Sequence, residues 1–210
     1  MKKTRSDPVK KITTLIFDWG GVFTTGKFTQ CILEVLASRR KITISEVYAD
    51  FDRVLMKMAR GALSFSQFVR TINTTFGWNY TPTQMSNAFY HAIRPYPPMI
   101  SLIQRFKKKY RLIMLSDNDP MTVKNIRMHH PTMLAPFDQT FFSFQVNYTK
   151  PDKRFFKHVL AKTKSTVQEC VFIDDKQKNV DAAKELGING IQYTSIGKFK
   201  KDLKKLGVIT

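Results

Sequence analysis

Three apolar runs in this chain stop at residues able to do chemistry. Ile12-Thr-Thr-Leu-Ile-Phe17 runs into Asp18, Arg111-Leu-Ile-Met-Leu115 into Ser116-Asp117-Asn118, and Cys170-Val-Phe-Ile173 into Asp174-Asp175. Between the last two lies Thr149-Lys150-Pro151-Asp152. A carboxylate such as Asp18 can attack an electrophilic phosphorus and divide phosphoryl transfer into two easier steps. Its approach to a phosphate dianion is repulsive unless that charge is offset. A Mg²⁺ ion held by Asp18 and one or both of Asp174 and Asp175 would offset it, since hard cations take oxygen ligands. Lys150 adds a second positive charge, and Ser116 offers a hydroxyl donor to a phosphoryl oxygen. Two adjacent carboxylates at a strand end repel each other, which also points to a cation beside Asp174 and Asp175.

The elements that must position these residues are short strands alternating with helices. Gly190-Ile-Gln-Tyr-Thr194 is a fourth strand, and Thr140 to Phe144 a fifth. Pro98 to Tyr110 is predicted as an amphipathic helix with Ile100, Ile103 and Phe106 inward, followed by helices over Lys153 to Lys162 and Asn179 to Leu186, the last closed by Gly187. This alternation predicts an α/β fold with a doubly wound parallel sheet, whose ligands bind beyond the carboxyl ends of the strands. Residues 29 to 93 break the pattern and read as successive helices, with capping boxes at Thr43/Glu46, Ser64/Gln67 and Thr81/Gln84. The expected organisation is a core of residues 1–27 and 94–210 with a helical cap of residues 28–93. Ser116 and Asn118 are also expected to cap the helix that follows them.

Taken in order, these segments resemble the four motifs of the haloacid dehalogenase superfamily. Phe17-Asp18-Trp19-Gly20-Gly21-Val22-Phe23 is similar to the first, Leu115-Ser116-Asp117-Asn118 to the second, and Lys150-Pro151-Asp152 with Arg154-Phe155-Phe156 to the third. Phe172-Ile173-Asp174-Asp175, with Asn179 and Ala182 to Ile188, is similar to the fourth. The helical insert resembles the cap of the dehalogenase and sugar-phosphate phosphatase branch. The resemblance implies a Rossmann-like core and Asp18 as nucleophile, with Ser116 and Lys150 as its catalytic partners. It also implies Mg²⁺ held by Asp18, the Gly20 carbonyl, Asp174 and Asp175, and a small phosphorylated substrate such as a sugar phosphate. Trp19, Asp117 and Asn118 are the candidate substrate contacts. Two positions depart from the pattern. Gly20 stands where family phosphatases usually carry a second Asp as general acid, and Asp117 where Asn is common. Asp117 is a candidate source of the missing proton.

The rest of the sequence weighs on the alternatives. Lys and Arg number 35 against 16 Asp and Glu, a net charge of +19, which attracts anions of every kind. The charge is spread over Lys2 to Lys11, Lys107 to Arg111, Lys150 to Lys157 and Lys198 to Lys205, without a recognisable nucleic-acid module. A catalytically weak protein binding polyanions or nucleic acid is therefore a less favoured reading. A metal-independent 2-haloacid dehalogenase is another, disfavoured by the paired carboxylates Asp174-Asp175. Cys31 and Cys170 lack metal-site spacing and read as reduced and buried, as in a cytoplasmic protein. No apolar stretch is long enough to span a membrane, and Met1 to Lys11 lacks the apolar region of a secretory signal. His91, His129, His130 and His158 are assigned no role, and Arg60 and Arg94 are read as surface residues.

Overall fold

A computed structural model describes residues 11–38 and 41–209; the basic run from Lys2 lies outside this range up to position 10. Five strands alternate with ten helices among the described residues. They are β1 (Thr14–Phe17), α1 (Phe28–Ala37), α2 (Ile44–Ala59), α3 (Phe65–Phe76), α4 (Pro82–Ala92), α5 (Pro97–Phe106), β2 (Arg111–Ser116), α6 (Pro120–His129), β3 (Gln139–Phe142), α7 (Ser143–Val146), α8 (Lys153–Thr163), β4 (Cys170–Asp174), α9 (Gln177–Lys184), β5 (Asn189–Gln192) and α10 (Ile196–Lys205).

The strands form one parallel sheet in the order β3-β2-β1-β4-β5. β1 is central and its four residues are all buried, as a strand covered on both faces requires. Alternate side chains go to opposite faces. Leu15 and Phe17 enter a cluster with Met99, Ile103 and Phe106 of α5, Val123 and Ile126 of α6, and Phe199 and Leu203 of α10. Ile16 enters another with Phe155, Phe156 and Val159 of α8 and Ala182 and Ala183 of α9. Helices thus cover both faces, the doubly wound arrangement expected.

Helices α1 to α4 build a separate apolar cluster, centred on Phe51, Phe68 and Phe89, whose rings meet edge to face. The two chain segments that join these helices to the sheet are tied together. Thr24 and Pro95 form an antiparallel bridge, flanked by the bonds Thr25 N–H to Arg94 O (2.9 Å) and Tyr96 N–H to Phe23 O (2.8 Å).

Local differences from the sequence reading have physical causes. The capping boxes at Ser64/Gln67 and Thr81/Gln84 form, whereas Thr43 makes no side-chain cap bond. There the Glu46 N–H is taken by the Thr43 carbonyl at 3.0 Å. Ser116 and Asn118 do not cap α6. Asp119 does, its carboxylate accepting the N–H groups of Met121 and Thr122 at 2.9 Å each. The fifth strand ends at Phe142, and Ser143 and Phe144 begin the short α7, closed by Asn147 in the left-handed region (φ 61°). Ile100 is only partly buried; Met99 and Leu102 join Ile103 and Phe106 on the inner face of α5.

Candidate active site

Register puts the chemistry together. Phe17 pairs with Met114 of β2 and Ile173 of β4, so the residues that follow these three, Asp18, Leu115 and Asp174, emerge at one level of the carboxyl edge. The Asp18 N–H donates to the Ile173 carbonyl at 2.8 Å, continuing the ladder one step past β1. The loop before α8 delivers Lys150 to the same point. Its ammonium lies 2.6 Å from Asp18 Oδ1 and 2.8 Å from Asp174 Oδ2, and donates to the Leu115 carbonyl at 3.2 Å. All three charged groups are buried.

The carboxylates are not equivalent. Asp174 is saturated by the protein: besides Lys150, it accepts the Lys176 N–H at 2.8 Å and the Asn179 amide at 3.0 Å on both oxygens. Burial works against its charge, but Lys150 and these donors prevail and hold its carboxyl below the usual range. Asp175 is half-buried, and its Oδ1 has no hydrogen-bond partner. Burial, and then the Asp174 charge, push its carboxyl upward. For Asp18, burial outweighs Lys150 and the carboxyl is pushed up to about 7. Lys150 is held protonated: burial opposes its charge, but Asp174 and Asp18 more than offset that and raise it.

One oxygen each of Asp18, Asp174 and Asp175 lies within 4.8 Å of the other two. An oxygen-only cluster with one unpartnered buried carboxylate oxygen fits a hard divalent cation. The turn at Gly20-Gly21 is shaped around it. A Cβ on Gly21, which has φ +70°, would come within 2.5 Å of Asp175 Oδ2. At Gly20 a Cβ would meet nothing within 4 Å.

A cavity of about 960 Å³ opens over this edge, walled by the core loops on one side and by α1 and α2 on the other. Asp18, Trp19, Gly20, Asp117, Asn118, Lys150 and Asp175 all line it. Ser116 does not: it is buried at the end of β2. Two buried donors in the cavity wall lack acceptors, Trp19 Nε1 and Asn118 Nδ2. Trp19 also packs its ring edge to face on Phe28 of α1, so it serves packing and cavity wall together. Asp117 Oδ1 accepts the Lys150 N–H at 3.0 Å and so clips the lysine's loop to the end of β2. Arg60 and Arg94 do not line the cavity; Arg60 bonds Thr149, and Arg94 pairs with Glu34 at the surface.

Sequence reasoning missed two contributors. Asp119 lines the cavity, but in the sequence it is one polar residue among several. Ser143 is fully buried and 25 residues from the loop it supports. Its hydroxyl accepts the Asn118 N–H at 3.0 Å and donates to the carbonyl of Ala59, at the end of α2, at 2.6 Å. Only the fold brings these three together, and no local motif announces it.

Comparison with known proteins bears on the family and the fold. A sesquiterpene phosphatase, astK, of Aspergillus oryzae is 29% identical over 85% of this chain and 88% of its own. A D-ribitol-5-phosphate phosphatase of Bacteroides thetaiotaomicron is 20% identical over 91% of this chain and 97% of its own. Among solved structures, the HAD family enzyme bt-2542 of Bacteroides thetaiotaomicron superposes with a TM-score of 0.81 at 21% identity, over 92% of this chain and 99% of its own. The same enzyme has been solved with magnesium and inorganic phosphate. An L-2-haloacid dehalogenase of Xanthobacter autotrophicus follows at 0.66 and 14% identity, over 95% of this chain and 85% of its own. The pattern of the haloacid dehalogenase-like hydrolases matches residues 12–187, and the chain belongs to that family.

Proposed function

We propose that this hydrolase is a Mg²⁺-dependent phosphomonoesterase that works through an aspartyl-phosphate at Asp18. The observation that carries the reading is the division of labour among the carboxylates. Asp174 is consumed in fixing Lys150 against Asp18, while Asp175 keeps an unpartnered oxygen beside the cavity. Asp18, Asp175 and the Gly20 carbonyl would hold the cation, with Asp174 orienting the lysine that neighbours it. Bound Mg²⁺ would offset the phosphate's negative charge.

The chain's own residues do the rest. Asp18 forms the new bond to phosphorus as the P–O bond to the alcohol breaks, the departing alkoxide taking a proton from a water in the cavity, and a second water then attacks phosphorus to release inorganic phosphate and restore the Asp18 carboxylate. Lys150 places its charge between Asp18 and the equatorial oxygens. Asn118 Nδ2 and Trp19 Nε1, both buried without acceptors, are donors for those oxygens or for the leaving group, whereas Ser116, which does not line the cavity, stays with the end of β2 and is not assigned a contact to phosphate. Asp117 keeps Lys150 in place. Helices of residues 28–93 act as the cap that covers the site and excludes bulk water.

The relatives named as phosphatases support phosphate-ester chemistry, with a polyol phosphate in one name and a terpene in the other. A sugar phosphate, which the motif resemblance suggests, is the first substrate class to assay. A dehalogenase reading is less well supported, because that chemistry has no use for a cation-binding Asp175.

The test is hydrolysis of p-nitrophenyl phosphate and a sugar-phosphate panel with Mg²⁺, with excess chelator, and with Asp18→Asn. Turnover should need Mg²⁺ and fall by at least about a thousandfold in the variant. Full turnover in chelator, or chloride release from 2-chloropropionate without metal, would sink the proposal.

A further inference from the structure

The phosphate end of the cavity is polar, and the wall facing it carries an apolar patch beside a few polar groups. From α2 the residues Tyr48, Asp52, Leu55, Met56 and Ala59 line the cavity, at the i, i+4, i+7, i+8, i+11 spacing of one helical face. Phe28 of α1 joins them, its ring against Trp19 and Phe89. Two of the polar groups on this side occupy each other: Thr29 Oγ1 donates to Asp52 Oδ1 at 2.6 Å. Beside them the wall presents a patch of hydrocarbon: Phe28, Leu55, Met56 and Ala59.

That wall discriminates between leaving groups. A polyol would place several hydroxyls against side chains with no donors or acceptors to return, and each unmatched hydroxyl loses its partners in water. A hydrocarbon chain, by contrast, leaves water for an apolar surface. The cavity has room for it, since about 960 Å³ lies near the top of the roughly 300–1,000 Å³ range of small-molecule sites.

We infer that the site takes phosphate monoesters of predominantly apolar alcohols, with the hydrocarbon part lying against Phe28, Leu55, Met56 and Ala59. This rests on the phosphomonoesterase reading, and binding and turnover separate the two. The Mg²⁺-loaded Asp18→Asn protein is titrated calorimetrically with n-butyl, n-hexyl and n-octyl phosphate, each below its micelle concentration, and with glucose 6-phosphate. Affinity should rise by up to about fourfold for each methylene that is buried, giving at least a tenfold gain from butyl to octyl and tighter binding of octyl phosphate than of glucose 6-phosphate. In the same background, Leu55→Asn and Met56→Gln should each flatten the chain-length dependence; using both guards against one of them failing to fold. Equal affinity across the alkyl series, or tighter binding of glucose 6-phosphate, overturns the inference. Wild-type protein is assayed in parallel on p-nitrophenyl phosphate. Turnover with a flat alkyl series removes only the apolar specificity. A steep series with no turnover of any ester removes the phosphomonoesterase reading and keeps the apolar wall.

Discussion

At the scale of the residue, Asp18 sits in an unfavourable place. Its carboxyl is pushed up from 3.8 to about 7, chiefly by burial. A folded-state value above the unfolded one means that folding binds a proton more readily, so without metal this group's contribution to stability declines as pH rises from about 4 through 7. Asp18→Asn removes that penalty while keeping an oxygen acceptor for Lys150. We expect the variant to be inactive yet more stable than wild type at pH 7.5 in chelator, with the gap closing toward pH 4. At 1.36 kcal/mol per pKa unit, about 4 kcal/mol is the ceiling. Urea unfolding at the two pH values checks this, and a variant less stable than wild type at pH 7.5 would contradict it. Lys150 has the same slope in a higher pH window. Its raised value stabilises the fold below the ordinary lysine range, and that contribution is lost only as pH climbs beyond it.

At the scale of the element, the sheet was legible because three of its five strands, β1, β2 and β4, carry or run into a polar candidate residue at their carboxyl ends. An apolar run followed at once by Asp18, Ser116 or Asp174 announces both a buried parallel strand and its carboxyl edge. Lys150 was legible from its place between β2 and β4. The α2 side of the cavity was not. Tyr48, Asp52 and Leu55 share a helical face, but which face meets the cavity depends on how that helix docks, and no local pattern encodes that. Helix starts show the same boundary at smaller size. Thr43/Glu46 and Ser64/Gln67 look alike as text, yet only the second closes its box, because a backbone turn takes the Glu46 N–H. Ser64→Ala should therefore cost about 1 kcal/mol of stability and Thr43→Ala only a few tenths. Thermal unfolding of the two variants decides it, and equal losses would mean that the Ser64 box adds nothing over the Thr43 turn.

At the scale of the whole molecule, the +19 charge is most consequential where it borders the cavity. Lys27, Lys176 and Lys178 line that cavity and are exposed, so they extend the positive field of Lys150 toward solvent. The field draws in any phosphorylated molecule without choosing among them, and salt screens it within about 10 Å at 0.1 M. We expect kcat/KM for a phosphate ester to fall several-fold between about 20 and 500 mM NaCl, with kcat little changed. A kcat/KM indifferent to salt would mean that the charge serves another purpose. No helix among the described residues is long and apolar enough to cross a membrane.

The Ser143 hydroxyl joins the end of α2 to the backbone of Asn118, next door to Asp117 and the lysine loop that it clips. One oxygen thus ties the helical side of the cavity to the loop after β2, so that Ser143→Ala would take away the Ala59 contact and the Asn118 N–H acceptor together.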